Sequence, residues 1–174
     1  MVTPLIIIAV ILFVIVSKGT VIIRPYQKGI VERFGKYQHT VDSGLSIIVP
    51  YLDKIIKIDM REQVLDISIQ AITKDDVVVE VVAMLSYEIT NPVKVMYNIS
   101  NLNIATTKIA QISLRNLIGD LTLNESLTSR EKIIYKLREI LDDATDNWGA
   151  RITRVELQRI EPRADSASAL RHRD

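Results

Sequence analysis

Val77-Val78-Val79-Glu80-Val81-Val82-Ala83-Met84-Leu85-Ser86-Tyr87-Glu88-Ile89 is the stretch on which the fold turns. Val77, Val79, Val81, Ala83, Leu85, Tyr87 and Ile89 fall on one face of an extended chain, because successive side chains of a strand point to opposite sides. Period two sustained over this length predicts one long strand with a buried face. The opposite face mixes Glu80, Ser86 and Glu88 with Val78, Val82 and Met84. That is more apolar than a fully solvated face requires, so Val78, Val82 and Met84 are candidate subunit contacts.

Upstream, Val64 to Ile72 alternates in the same way, with Leu65, Ile67 and Ile69 on one face and Lys74-Asp75-Asp76 as the polar turn that follows. Ile30 to Phe34, Leu45 to Val49 and Ile55 to Ile58 predict shorter strands; Asp42-Ser43-Gly44 is a turn signal and Pro50 a stop. Downstream, Asn91-Pro92 ends the long strand and starts a short helix through Tyr97, since proline suits the first helical position. Asn101 is placed to cap a helix running to about Ile118, with Gly119 as its stop. Ile109, Ile112, Leu114, Leu117 and Ile118 spread around that helix and predict it mostly buried. Thr128-Ser129-Arg130-Glu131 has capping-box spacing. Ile133, Leu137, Ile140, Leu141, Ala144 and Trp148 then form one helical stripe, closed by Gly149. Ile152 to Ile160 is a last strand, with Thr153, Val155 and Leu157 on one face. Strands, then helices, then one strand predict an α+β domain, with no Gly- or Ser-rich linker dividing it.

The N-terminus is of a different kind. Leu5, Ile6, Ile7, Ile8, Val10, Ile11, Leu12, Phe13, Val14, Ile15 and Val16 form an apolar run interrupted only by Ala9, and no charge precedes Lys18. At ~1.5 Å per residue, residues 1–17 reach roughly 25 Å, slightly short of a ~30 Å hydrocarbon core. Val21, Ile22 and Ile23 could lengthen the span, so residues 1–23 are read as a transmembrane anchor. Lys18, Arg24, Lys28, Arg33 and Lys36 all follow it, and the positive-inside rule then puts the rest of this single-pass protein in the cytoplasm. The rival reading is an exported soluble binding protein with a cleaved signal peptide. Against it, no basic n-region is present, and Ser17 and Gly19 make only a weak cleavage signal around Lys18.

Composition and motifs predict no reaction chemistry. With 22 basic and 21 acidic side chains the net charge is +1, which argues against nucleic-acid binding. There is no cysteine for a disulfide, a nucleophile or a metal. His39 and His172 are too far apart in sequence to give zinc-ligand spacing. Ser43 and Ser46 beside Gly44 do not make a nucleophile elbow, and the scattered glycines make no phosphate loop. Asp142 and Asp143, adjacent on a helix, point apart. Asp75-Asp76 fits a turn, and Arg151, Arg154 and Arg159 are interspersed with Glu156 and Glu161 as on a solvated edge.

A set of motifs in order carries a resemblance. Val31-Glu32-Arg33-Phe34-Gly35-Lys36-Tyr37 is followed by Ser43-Gly44-Leu45, Val49-Pro50-Tyr51-Leu52-Asp53, Asp59-Met60-Arg61-Glu62 and Ile72-Thr73-Lys74-Asp75-Asp76. Asn91-Pro92-Val93, Leu114-Arg115 through Ile118-Gly119, Ser129-Arg130-Glu131, and Trp148-Gly149 with Arg154-Val155-Glu156 complete it. Residues 24–162 therefore resemble an SPFH (band 7) domain of the stomatin/prohibitin/flotillin superfamily, closest to prokaryotic stomatin-like slipins. The resemblance implies an antiparallel sheet packed by helices, a membrane anchor, homo-oligomers and a non-catalytic scaffold that organises membrane microdomains and regulates membrane proteins. It implies no cofactor, lipid as a partner, and pairing with an NfeD-type membrane serine protease. It also places the region of Leu45, Ile47, Ile48 and Val49 near the bilayer; the competing reading makes them core strand residues. One departure stands out: Pro162 is followed by Arg163 rather than a second proline, and no heptads follow. Residues 163–174 are accordingly expected to be a short disordered tail, and self-association to rest on domain faces.

Overall fold

The computed structural model describes residues 19–163. They divide into two compact units between Arg61 and Glu62. No composition shift marks the join.

The first unit is built of strands β1 (Thr20–Ile23), β2 (Gln27–Arg33), β3 (Lys36–Val41), β4 (Gly44–Ile47) and β5 (Asp53–Asp59). β1 and β4 make a two-stranded antiparallel sheet; β3, β2 and β5 make a second, with β2 central. Ile23, Ile30 and Val31 are its buried apolar side chains. The β2–β3 hairpin turns through Phe34 (φ 50°) and Gly35 (φ 75°), the left-handed pair that a two-residue turn needs to match strand twist. Val21, Ile22 and Ile23, which the sequence offers as an extension of the anchor, lie in β1 and pair with β4 instead.

In the second unit β6 (Gln63–Ile72), β7 (Val78–Ile89) and β8 (Ala150–Pro162) form an antiparallel sheet in that order. Helices α1 (Pro92–Asn98), α2 (Leu102–Gly119), α3 (Leu123–Thr128) and α4 (Arg130–Asp146) lie between β7 and β8 in sequence. Val79, Val81, Ala83, Leu85 and Tyr87 all point into one core, as period two requires. Leu114 and Ile118 of α2, and Ile133, Leu137 and Leu141 of α4, cover them. Each such large side chain contributes about 1.5–3 kcal/mol on burial. Asn91 caps α1 through bonds from the Val93 and Lys94 amides, and Asn101 caps α2 by accepting from Ile104 N.

Three local expectations are corrected. The capping box is Thr122–Glu125 at the start of α3, where both reciprocal bonds are present; Thr128 ends α3 and Ser129 makes no side-chain cap for α4. α2 buries only a stripe, Leu102, Thr106, Ala110, Ser113, Leu114 and Ile118, and leaves Ile104 and Ile112 exposed. In β8 the register shifts opposite Val82/Ala83 and Ser86/Tyr87, so Ile152, Val155, Leu157 and Ile160 face the core and Thr153 does not share their face. A bulge adds one residue and breaks strict alternation.

The architecture is thus α+β with antiparallel sheets. Among the described residues no helix is long and apolar enough to cross a membrane. Leu5 to Val16, the expected anchor, and the expected tail beyond Arg163 lie outside the described residues.

Candidate membrane-contact surface

β1 and β4 set one apolar face. Their register opposes Thr20 with Ile47 and Ile22 with Leu45. Directly opposed residues share a face, so Ile22, Leu45 and Ile47 stand together. They are 67%, 70% and 77% exposed. The reading of Leu45 and Ile47 as core strand residues is therefore wrong. Ile48 is half-buried, with its amide bonded to Gly19 O at 2.7 Å, and Val49 is exposed.

The end of the unit where Gly19 enters carries more of the same. The Ile48–Gly19 bond ties the β4–β5 loop to the start of β1, and Phe34 N donates to Leu52 O at 3.4 Å, bringing the hairpin tip alongside. Phe34, Tyr51 and Leu52 are all exposed there. Phe34 and Tyr51 are held at φ 50° and 69°. Positive φ is uncommon for bulky side chains and costs of order 1–3 kcal/mol. Two strained, exposed aromatics beside an apolar sheet face are a poor arrangement for water and a good one for a bilayer interface, where aromatic rings collect. Sequence reasoning placed Ile22 in the anchor and missed Phe34, Tyr51 and Leu52; the signal available was an aromatic in the tight turn Phe34-Gly35 and another next to Pro50.

One ion pair fixes this end. Arg33 donates from Nε to Asp53 Oδ1 at 2.7 Å and from Nη2 to Oδ2 at 3.0 Å, and Val49 N donates to the same Oδ2 at 2.9 Å. The Arg33 guanidinium first, and then the Val49 amide, lower the Asp53 carboxyl to about 2. Its side chain is only 4% exposed. Because the folded value is depressed, this clasp is at full strength above the ordinary Asp value of ~3.9 and weakens as pH falls through the folded value. The Val49 amide resonance of the full chain should titrate with a midpoint near 2 and should lose that step in Asp53→Asn. A midpoint at the ordinary carboxylate value would refute the clasp.

Val78, Val82 and Met84 sit half-buried on the sheet face opposite the helices. Asp75 Oδ1 accepts from Thr73 Oγ1 at 2.5 Å and Leu123 N at 3.1 Å. Asp142 Oδ1 accepts from Ile152 N at 2.9 Å. Arg151, Arg154 and Arg159 pair with Glu88, Glu156 and Glu161, so they form no anion site. Among the described residues no group of His, Asp and Glu could hold a metal ion.

Residues 21–174 match the SPFH domain / Band 7 family. The chain belongs to that family and is stomatin-like. It is 53% identical over 165 residues to an uncharacterised protein of Methanothermobacter thermautotrophicus, covering 94% of this chain and 52% of that one. An uncharacterised protein of Methanocaldococcus jannaschii is 39% identical, with 94% and 83% covered. A stomatin homolog of Pyrococcus horikoshii is 35% identical over 170 residues, with 97% and 63% covered. The chain thus spans about half the length of the first of these relatives.

Proposed function

We propose that this chain is a membrane-anchored, non-catalytic scaffold, held by residues 5–16 and resting the Gly19 end of its first unit on the cytoplasmic face of the bilayer. The carrying observation is that end itself: Ile22, Leu45, Ile47, Phe34 and Tyr51 are exposed together where the chain arrives from the apolar run. At about 1.5–3 kcal/mol for each fully buried large apolar side chain, even partial burial of this group in lipid is worth several kcal/mol. A domain pinned in this way offers its other faces to membrane proteins, whose organisation and regulation are the proposed role. A membrane serine protease of the NfeD type is the proposed client.

The test uses the cysteine-free full chain in proteoliposomes. Ile47→Cys should react with a water-soluble maleimide about tenfold more slowly than Asp143→Cys on α4, each rate referred to the unfolded chain, because an interfacial position is shielded from an aqueous reagent. Equal relative rates would defeat the proposal for this surface.

A further inference from the structure

We propose that the outward ridge of α2 is a docking surface for an acidic amphipathic helix of a partner protein, seated on Ile104 and Ile112 and held by Lys108 and Arg115. This names a client surface of the proposed scaffold and so rests on that reading; the Ile47→Cys labelling rate reads the membrane contact separately.

α2 turns its buried stripe to the core and leaves Ile104, Lys108, Ile112, Arg115 and Asn116 exposed. Ile104 and Ile112 are 59% and 57% exposed. Ile104, Lys108, Ile112 and Asn116 recur every four residues, which stacks them in one ridge along the helix. A ridge of this kind fits between two rows of side chains on a second helix laid along it at a shallow angle. Single exposed apolar side chains are ordinary. Two in one ridge, at the spacing by which helices are recognised, make a surface.

The charge decides what kind of helix fits. α2 contains no Asp or Glu in its 18 residues. Lys108 and Arg115 form no ion pair among the described residues, whereas Arg33, Arg61, Arg138 and Arg151 each do. The two cations are seven residues apart, roughly 10 Å along the axis. Carboxylates seven residues apart on the partner meet both, with apolar side chains between them to cover Ile112. The ridge ends at an open groove of about 660 Å³, which Arg115 and Asn116 line together with Gln70 and Ile72 of β6. That space lets Arg115 grip a carboxylate with both arms of its guanidinium.

Two other occupants fit worse. A bilayer takes up a broad apolar face, and Thr107, Gln111 and Arg115 leave this one only two large apolar side chains. A second copy offers α4, whose exposed side mixes Glu131, Glu139 and Asp143 with Lys132, Lys136 and Arg138 and so sets like charges against Lys108 and Arg115.

The test uses the full chain in phosphatidylcholine proteoliposomes and two fluorescein-labelled helical peptides of about 20 residues. One has a leucine face flanked by Glu at seven-residue spacing; the other is its Lys twin. By fluorescence anisotropy the acidic peptide should bind and the Lys twin should not. Lys108→Glu combined with Arg115→Glu should weaken the acidic peptide at least about tenfold and admit the Lys twin. Ile112→Ser alone should weaken the acidic peptide about tenfold. Lys132→Glu combined with Lys136→Glu makes the same charge change on α4 and should leave binding unaltered. All these side chains are exposed, so the fold stays intact. Failure of the acidic peptide to bind, or an equal loss from the α2 and α4 pairs, would overturn the proposal. So would a nitrobenzoxadiazole on Asn116→Cys that shifts to the blue when phosphatidylglycerol is added without peptide, which gives the ridge to lipid. A wild-type dimer in detergent that the α2 reversal dissolves would give it to a second copy and overturn the proposal equally.

Discussion

Gly149→Val should lower the stability of the unit that begins at Glu62 by about 2–5 kcal/mol. Gly149 sits at φ 78°, between α4 and β8. Its carbonyl accepts from Thr90 N and Asn91 N, both at 2.9 Å, so one residue joins the end of β7, the cap of α1 and the start of β8. A Cβ there would lie 2.6 Å from Asn91 O and 2.8 Å from Lys94 Cβ. The nearer atom is backbone and cannot step aside. Left-handed geometry costs an L-residue roughly 1–2 kcal/mol, and overpacking typically adds ~1–3. Gly35→Val isolates the first cost, because Gly35 has φ 75° with nothing near its Cβ. Denaturant unfolding of the full chain, followed through Trp148 for Gly149→Val and through far-ultraviolet dichroism for Gly35→Val, measures both. A Gly149→Val midpoint no lower than wild type would show that the junction yields.

What the sequence conveys of this fold is what depends on neighbours along the chain. The buried face of β7 follows from Val79, Val81, Ala83, Leu85 and Tyr87 because alternation is local and the helices cover one side only. Asn91 and Asn101 cap where a short polar side chain precedes a helix. β8 resists the same logic: its bulges are set by pairing with β7, and a single inserted residue moves Thr153 out of the core pattern. The spacing Thr-x-x-Glu occurs at both Thr122 and Thr128, and local sequence does not say which hydroxyl caps. Leu45, Ile47 and Val49 were visible as an apolar cluster, but whether they faced core or surroundings was not. Phe34 joins them only through the pairing of β2 with β5 and the Phe34–Leu52 bond, contacts between distant parts of the chain. The division at Arg61/Glu62 has no linker to announce it.

Ile8→Asp combined with Leu12→Asp should release the chain from carbonate-washed membranes. The eleven Leu, Ile, Val and Phe residues between Leu5 and Val16 favour insertion by about 0.3–0.6 kcal/mol each, or roughly 3–7 kcal/mol together. An Asp near the centre of a spanning helix costs about 2.5–3.5 kcal/mol, so two cost roughly 5–7 and remove two favourable residues as well. The balance passes from insertion to exclusion. On the proposed reading only Ile22, Leu45, Ile47, Phe34 and Tyr51 would then touch the membrane, and carbonate does not spare attachment of that interfacial kind. Intact mass separates the two readings of the N-terminus. Wild-type chain in the pellet with residues 1–20 present supports the anchor, whereas chain in the supernatant without them supports an exported protein. Full retention of the double variant in the pellet would mean that residues 5–16 are not what binds the membrane.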